Sequence, residues 1–250
     1  MSDFFHSGWP YAAGAAGCVG AGYAAWSVLA PGSQTFIPVI RRLPVVNAVA
    51  LTFDDGPTEP FTARILDILA EHHAQATFFL IGQNVRKYPK LARRIVEEGH
   101  TVGNHSYDHT ALGFTLGQRY WHSQLARTNR VITHETGLRP RLFRAPRGIK
   151  FWPMARALKR KGMRVVGWRL RGFDTVVGPG FLTGYLTRRM RAGDIITLHD
   201  GLEKARREKS QQGTVDALPA ILRSVQERKW HCFSLAQGLD TPVYFAHDDA

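Results

Sequence analysis

Two neighbouring carboxylates, Asp54 and Asp55, stand where an apolar run of the sequence stops. In a regular strand their side chains would point to opposite faces. Gly56 and Pro57 follow at once and end the strand, so both carboxylates can turn toward one mouth of the fold. There they could bind a cation or move a proton. The alternative is that Asp-Gly-Pro is simply a turn.

His105 and His109 offer nitrogen ligands four residues apart. At that spacing the two imidazoles would lie on one face of a helical turn, close enough to bind a single cation. With one aspartate they would form a two-histidine, one-carboxylate set that leaves positions open for water and substrate. Non-haem iron oxygenases use the same set, so it does not fix the reaction. Two surface or capping histidines are the competing interpretation.

Two further segments carry acid–base or anion-stabilising groups. In Arg144-Ala-Pro-Arg147-Gly148, an arginine could pair with a carboxylate and orient it, and the nearby proline and glycine could expose a backbone N–H to an oxyanion. His199 ends an apolar strand, where a general acid could sit, and Asp174 could orient its imidazole. The competing interpretation is a basic loop in a basic protein, with the histidine and the aspartate satisfied in loops.

The elements that must position these groups alternate between strand and helix. Apolar, β-rich runs predict strands at NAVALTF, ATFFLIG, HTVGNH, RLFRAP, MRVVGW and DIITLHD. Between them, spans such as FTARILDILAEHH and YPKLARRIVEEG predict helices, and another helix is expected over 118–135 before Gly137. This alternation indicates a parallel sheet, with the polar groups at its strand ends.

A length of 250 residues and a hydrophobic content of 44% suit one α/β domain with a sizeable core. We expect that domain over 43–240, an apolar segment and linker over 1–42, and a tail over 241–250. Segment 9–30 has no charged residue and is long enough to cross a bilayer, which predicts a membrane anchor, although alanine and glycine dominate it. A signal segment of a secreted protein and a helix packed on the domain are the alternatives.

The formal net charge of +13 and the pI near 10.3 predict attraction to polyanions. No nucleic-acid motif and no basic stripe with interleaved aromatics is present, so no nucleic-acid partner is expected. The clusters KARREK and LTRRMR are interpreted as solvated helix faces or as a patch that faces an anionic membrane surface. Two cysteines, Cys18 and Cys232, are too few for a disulfide framework.

Taken in order, TFDDGP, HSYDH, RAPRG, the segment from Trp168 to Asp174 and LHD resemble the motif series of the polysaccharide deacetylases, the NodB-like carbohydrate esterase family 4. The resemblance runs from about Ala48 to about Phe233. It implies a distorted (β/α) barrel and a hydrolase of carbon–nitrogen bonds other than peptide bonds. Such an enzyme would remove an acyl group, first of all an N-linked acetyl, from an amino sugar in a polysaccharide or lipid-linked glycan.

By matching position, the resemblance implies that Asp55, His105 and His109 hold one divalent metal ion, usually zinc, with cobalt or nickel also suited to such a site. Asp54 would be the general base that activates water. A bound cation lowers the pKa of water and polarises a carbonyl, so the physical chemistry agrees with these roles.

The resemblance also assigns the other polar groups. His199 would protonate the leaving amine, Asp174 would tune that imidazole, and Arg144 would orient the base. The backbone N–H of Arg147 would help to stabilise the oxyanion, and Leu198 would line the acetyl pocket. A catalytically silent carbohydrate- or lipid-binding module on the same barrel is the alternative. Its expected mark would be the loss of the base or the acid, and both are present.

Three positions depart from the family pattern. Arg171 stands where a second aspartate is common, Thr175 replaces an aromatic wall, and Arg147 replaces a frequent aromatic residue. The two arginines put positive charge near the expected substrate groove. We therefore expect an anionic substrate, such as a lipid-phosphate-linked sugar or an acidic glycan, in place of a plain neutral chitin chain.

Overall fold

The computed structural model describes residues 9–30, 32–110, 113–201 and 211–246. Its first helix is α1, Trp9–Leu29. The strands are β1 Val39–Ile40, β2 Ala48–Asp54, β3 Thr77–Leu80, β4 Thr101–Asn104, β5 Leu142–Phe143, β6 Arg164–Val166, β7 Leu170–Arg171, β8 Ile195–His199 and β9 His231–Cys232. The later helices are α2 Phe61–Glu71, α3 Gly82–Lys87, α4 Pro89–Glu97, α5 Gln118–Thr136, α6 Trp152–Arg160, α7 Pro179–Arg189, α8 Gln212–Glu227 and α9 Leu235–Gly238.

The strands of the described ranges form one parallel sheet in the order β1-β6-β5-β4-β3-β2-β8-β7, with β9 paired to the start of β2. The sheet curls, because Arg42, just after β1, forms an antiparallel bridge with Asp194, just before β8. The path thus turns back on itself, with helices outside it. This architecture confirms the predicted distorted (β/α) barrel.

Alternation along β2 decides which side chains face the interior. Leu51 and Phe53 pack in the apolar cluster under the outer helices, whereas Ala50 belongs to the interior cluster. Thr52 and Asp54 continue the interior face, because successive side chains of a strand point to opposite sides. The sheet therefore delivers Asp54 to the inside of the barrel at the carboxyl end of a fully buried strand.

The short elements are the ones that differ from the sequence predictions. Val39–Ile40 pairs with β6 inside the interval expected to be a linker. Helix α3 follows β3 directly, and β9 adds a two-residue pairing at His231 and Cys232. Segments this short carry no readable periodicity, so only tertiary pairing defines them.

The end of α1 lies against the loop after β5. The backbone N–H of Lys150 donates to the carbonyl of Val28 at 3.1 Å, and its ammonium donates to the carbonyl of Ala30 at 3.1 Å. Among the described residues, no helix is both long and apolar enough to cross a membrane. Residues 1–8, the cluster KARREK at 204–209 and the last residues of the tail, 247–250, lie outside the described ranges. Membrane anchoring stays a prediction.

Candidate metal and acid–base site

A polar cavity of about 310 Å³ opens where the central strands end. Strands β2, β4 and β8 and the loops after β5 and β7 bring predicted residues that are far apart in the sequence to this one place. The cavity is lined by Asp54, Asp55, His105, His109, Arg147, Trp168, Arg171, Thr175, Thr197 and His199. The convergence of these groups supports the interpretation that the separate motifs form one site.

The two adjacent carboxylates reach the cavity by different routes. Asp54 is the last residue of β2 and pairs in register with His199 of β8. Asp55 has a φ of 75°, in the left-handed region, and this bend turns its side chain to the same mouth. Gly56 leaves the room for the bend, because a Cβ there would lie 1.9 Å from Oδ2 of Asp200. The Asp-Gly-Pro turn is thus part of the site.

Asp55, His105 and His109 form a compact set of potential cation ligands. Oδ1 of Asp55 lies 3.3 Å from Nε2 of His105 and 3.3 Å from Nε2 of His109. The carbonyl of Arg144 accepts from Nδ1 of His105 at 2.9 Å, so Nε2 of the neutral ring presents a lone pair. Within the described part of the chain, no donor hydrogen-bonds to the buried Oδ1 of Asp55.

Lone pairs that face each other across so short a gap repel unless a proton or a cation lies between them. One oxygen and two nitrogen ligand atoms, all within 4.8 Å of one another, form a suitable donor set for a borderline cation such as zinc. The residues present therefore fit a divalent metal ion.

The prediction that the two histidines share a helical turn is wrong. Residues 105–109 form a loop in which Ser106 has a φ of 66° and His109 a φ of 49°. The side chain of Asn104 accepts from the N–H of Ser106 at 2.9 Å, and Oγ of Ser106 accepts from the N–H of His109 at 3.2 Å. These bonds bring the imidazole ring centroids to 4.9 Å without a helix.

In the Asp55–His105–His109 set, neighbouring charges shift the pKa values of Asp55 and His105 by more than burial does. Burial acts to raise the pKa of Asp55, but positive charge at His109 and His105 lowers the pKa by more, to well below its usual range. Burial acts to lower the pKa of His105, but the negative charges of Asp54 and Asp55 raise it by more, so the pKa lies above its ordinary value. Asp55 is therefore ionised throughout the working pH range, as a metal ligand must be.

Arg144 lies behind Asp54 and Thr197, which line the cavity, and is completely buried. Its Nη1 donates to Oδ1 of Asp54 at 2.8 Å, to Oγ1 of Thr52 at 2.7 Å and to Oγ1 of Thr197 at 3.0 Å. The ring of Phe79 lies 4.1 Å from its guanidinium carbon. Oδ2 of Asp54 accepts from Thr197 at 3.2 Å. These contacts hold the carboxylate of Asp54 in one orientation.

His199 is held by Asp174, which lies just after β7. Nδ1 of His199 donates to Oδ1 of Asp174 at 2.9 Å, and the backbone N–H of His199 donates to Oδ2 at 2.7 Å. Thr214 also donates to Oδ2, at 2.8 Å. Burial acts to lower the pKa of His199, but Asp174 raises it to about 9. With a pKa of about 9 the ring is protonated on both nitrogens at neutral pH; Nδ1–H donates to Asp174, so Nε2–H is the proton that faces away from Asp174.

The prediction that Leu198 lines the pocket needs correction. Leu198 is fully buried in the cluster under the outer helices, packed near Gly172 and Leu182. Thr197 lines the cavity instead. The reason is alternation: His199 faces inward, so the residue immediately before it in β8 faces outward and the one before that faces inward again.

Sequence reasoning missed the threonines and the aromatic residue as parts of the site. Thr52 and Thr197 pair in register and both accept from Arg144. Each stands two residues before a polar residue of the site, which is a signal that alternation alone could have revealed. Trp168 lines the cavity, and its ring lies 5.7 Å from the guanidinium carbon of Arg144.

The buried Arg144–Asp54 pair yields a test of the site's assembly. We expect Arg144→Gln to lower the free energy of unfolding by about 3–5 kcal/mol, because it leaves a buried carboxylate without its counter-charge. The double variant Asp54→Asn, Arg144→Gln removes that charge and should lose less than Arg144→Gln alone. Urea unfolding measures both. An equal or larger loss in the double variant would contradict a charge pair at this position.

Comparisons with known proteins agree with this geometry. The polysaccharide deacetylase family model matches residues 44–166. The peptidoglycan-N-acetylglucosamine deacetylase of Bacillus cereus is 33% identical over 184 residues, which are 72% of this chain and 64% of that protein. For a Listeria monocytogenes peptidoglycan-N-acetylglucosamine deacetylase, the 33% identical match spans 67% of this chain and 35% of the relative.

Other matches extend over most of the compared protein. The chitooligosaccharide deacetylase of Sinorhizobium fredii is 36% identical over 76% of this chain and 91% of its own length. A crystal structure of the Bc1960 peptidoglycan N-acetylglucosamine deacetylase superposes with a TM-score of 0.76 at 29% identity, over 82% of this chain and 94% of that one. The chain therefore belongs to the polysaccharide deacetylase family.

Proposed function

We propose that this protein is a divalent-metal-dependent hydrolase that removes an acetyl group from the nitrogen of an amino sugar. The observation that carries the proposal is the placement of Asp54 and His199, a base and an acid in register on adjacent strands, beside the Asp55–His105–His109 ligand set. Relatives named as deacetylases of peptidoglycan N-acetylglucosamine and of chitooligosaccharides support the same chemistry.

Asp55, His105 and His109 would hold the cation, for which zinc is the first candidate and cobalt or nickel would fit the same donors. A divalent ion in this place supplies Lewis acidity, which acidifies water and polarises an acyl carbonyl. Ionised Asp55 is in place before the ion binds, and because nearby carboxylates raise the pKa of His105, binding of the ion would displace a proton from Nε2 of that ring.

Asp54 serves as the general base. Arg144 and Thr197 hydrogen-bond its carboxylate from below, so the carboxylate has one orientation in the cavity. An oxygen atom held in this way can take the proton of an attacking water as that water adds to the acyl carbon. Arg144 acts here as a positioning residue, since it lies beneath Asp54 and is fully buried.

His199 serves as the general acid. Its pKa of about 9 keeps the ring protonated at neutral pH, and Asp174 fixes the ring so that Nε2 is the atom that gives the proton. Collapse of the tetrahedral species then releases the amine with this proton. Arg147 lines the cavity, and its backbone N–H would donate a hydrogen bond to the oxyanion.

The cavity wall favours an anionic glycan over a neutral one. Arg147 and Arg171 both line the cavity and are solvent-exposed, and Thr175 lies beside them. Guanidinium groups bind carboxylates and phosphates through paired hydrogen bonds. A polysaccharide with acidic groups or a lipid-linked glycan with a phosphate would be attracted to the positive charge of this wall, whereas a neutral chitin chain has no anionic group to bind there.

A silent binding module is the second candidate. The chain superposes on a CE4 family pseudoenzyme from Bacillus anthracis with a TM-score of 0.72 at 28% identity, over 82% of this chain and 70% of that one. A likeness to a protein without activity does not by itself distinguish the two candidates. The presence of base, acid and ligand set at one cavity favours the enzyme.

Acetate release tests the proposal. The zinc-loaded chain should release acetate from at least one member of a panel of neutral chitooligosaccharides, peptidoglycan fragments and acidic N-acetylated glycans. Because Asp54 is the base, Asp54→Asn should lower kcat by about 10²–10⁴-fold. Asp67→Asn, which removes an exposed carboxylate elsewhere, is the matched control and should leave the rate unchanged. An unchanged rate in the Asp54 variant would contradict Asp54 as the base, and no release from any glycan would favour the binding module.

The pH profile tests the acid. The raised pKa of His199 means that the proton is present below about pH 9 and is lost as the pH rises through that value, so kcat should fall on the alkaline side. Asp174→Asn removes the largest charge that raises the pKa, and the alkaline limb should move to lower pH. Asp67→Asn should leave the limb in place. An unmoved limb in the Asp174 variant would argue against His199 as the acid.

A further inference from the structure

A second cavity, of about 880 Å³, adjoins the catalytic one. The two cavities share Trp168 and Arg171 as lining residues. Half of the residues that line the second cavity are arginines, and none is acidic. The arginines are Arg41, Arg169, Arg171, Arg188, Arg189 and Arg191. We call this space the arginine cavity.

The charges of the arginine cavity are not neutralised from within the described part of the chain. None of its six arginines forms an ion pair with a carboxylate of residues 9–30, 32–110, 113–201 or 211–246. Five of the six are solvent-exposed, and the sixth, Arg41, donates from Nε to the carbonyl of Trp168 at 3.1 Å. Like charges gathered around one space repel each other, so a bound anion would stabilise the arrangement.

Aromatic rings place some of these cations. The guanidinium of Arg189 lies 5.7 Å from the ring of Tyr185, and that of Arg171 lies 5.3 Å from the ring of Phe173. Contacts of this kind reduce the freedom of the side chains before a ligand binds, which lowers the entropic cost of binding. The arginine cavity is thus partly preorganised.

The number and type of the charges indicate the ligand. A guanidinium fork matches two oxygens of a phosphate, and several forks around one space suit a group with several charged oxygens better than a single carboxylate. The segment LTRRMR, which the sequence analysis interpreted as a solvated helix face or a membrane-facing patch, supplies Arg188, Arg189 and Arg191 to this wall. All three arginines of this segment line the same cavity.

We propose that the arginine cavity binds a phosphate or diphosphate group that is covalently attached to the amino-sugar substrate. The shared wall at Trp168 and Arg171 lets one molecule place its acetylated sugar in the catalytic cavity and its phosphate among the arginines. This inference rests on the proposed deacetylase function and defines the substrate class of the same site. The phosphate can belong to a soluble sugar phosphate or to a lipid-linked sugar.

Binding of inorganic pyrophosphate tests the subsite apart from catalysis. The full chain is used free of metal, so that pyrophosphate cannot bind a cation, and titration calorimetry measures Kd. The variant Arg188→Gln, Arg189→Gln should weaken binding at least about tenfold, because each charge-assisted bond to phosphate is strong. The variant Arg160→Gln, Arg223→Gln removes the same charge from exposed positions that do not line the cavity and should stay within about twofold. Equal losses in both variants would overturn the subsite.

Kinetics of the zinc-loaded chain then connect the subsite to substrate choice. The substrates are a neutral chitooligosaccharide, an N-acetylhexosamine 1-diphosphate in solution, and the same head group on a polyprenol in vesicles. We expect a kcat/KM at least about tenfold higher for a phosphorylated substrate than for the neutral one, and the Arg188, Arg189 variant should lose this advantage through KM. The Arg160, Arg223 variant should keep both this advantage and the rate on the neutral substrate.

The results separate the two claims. If the neutral substrate is deacetylated with the same kcat/KM as both phosphorylated substrates, the proposed phosphate subsite is wrong and the deacetylase function stands. If no substrate is deacetylated but pyrophosphate still distinguishes the two arginine variants, the deacetylase function fails and the inference about its substrate fails with it. An advantage for the vesicle-bound substrate alone would assign the phosphate to a lipid-linked sugar, and an equal advantage in solution would assign it to the sugar phosphate itself.

Discussion

The buried guanidinium of Arg144 is the interaction on which the rest of the site depends. It joins β2 and β8 through Thr52, Asp54 and Thr197, and it stacks on Phe79 of β3. A charge buried this deeply is tolerated only when it is paired and hydrogen-bonded on every side. Its surroundings are shaped to fit, for a Cβ at position 103 of β4 would lie 2.5 Å from the Phe79 ring, and that residue is a glycine.

Because Arg144 fixes the end of β2, two neighbouring aspartates there can have different roles, one in proton transfer and one in metal binding. Asp54, in register with the sheet, is held by Arg144 and is the residue that we propose as the base. Asp55, one residue later, leaves the register through its left-handed φ and lies beside the two histidines, where it can serve as a ligand. Across the cavity, the carboxylate of Asp174 orients the imidazole of His199 by a hydrogen bond, as the guanidinium of Arg144 orients the carboxylate of Asp54. Each reacting group thus has a partner that sets its orientation.

Much of this could be read from the sequence because the signals are local. Long strands and helices follow from periodicity, and their alternation predicts a parallel sheet with the motifs at its strand ends. The barrel itself is implied by the resemblance of those motifs to the polysaccharide deacetylases. What failed depends on three-dimensional context. The histidine loop avoids a helix through bonds to the side chains of Asn104 and Ser106. The arginine cavity is built from residues as distant as Arg41 and Arg191, which no spacing rule connects.

The central claim is that Asp55, His105 and His109 hold one divalent cation, and a zinc titration of the metal-stripped chain tests it most directly. We predict one zinc per chain. His109→Ala should weaken binding by at least about 100-fold, because loss of a partner that merely orients a ligand already costs 10–100-fold. His134→Ala, which removes a histidine whose side chain is 81% exposed, should bind zinc as the parent does. Unchanged binding in the His109 variant, or equal losses in both, would contradict the account.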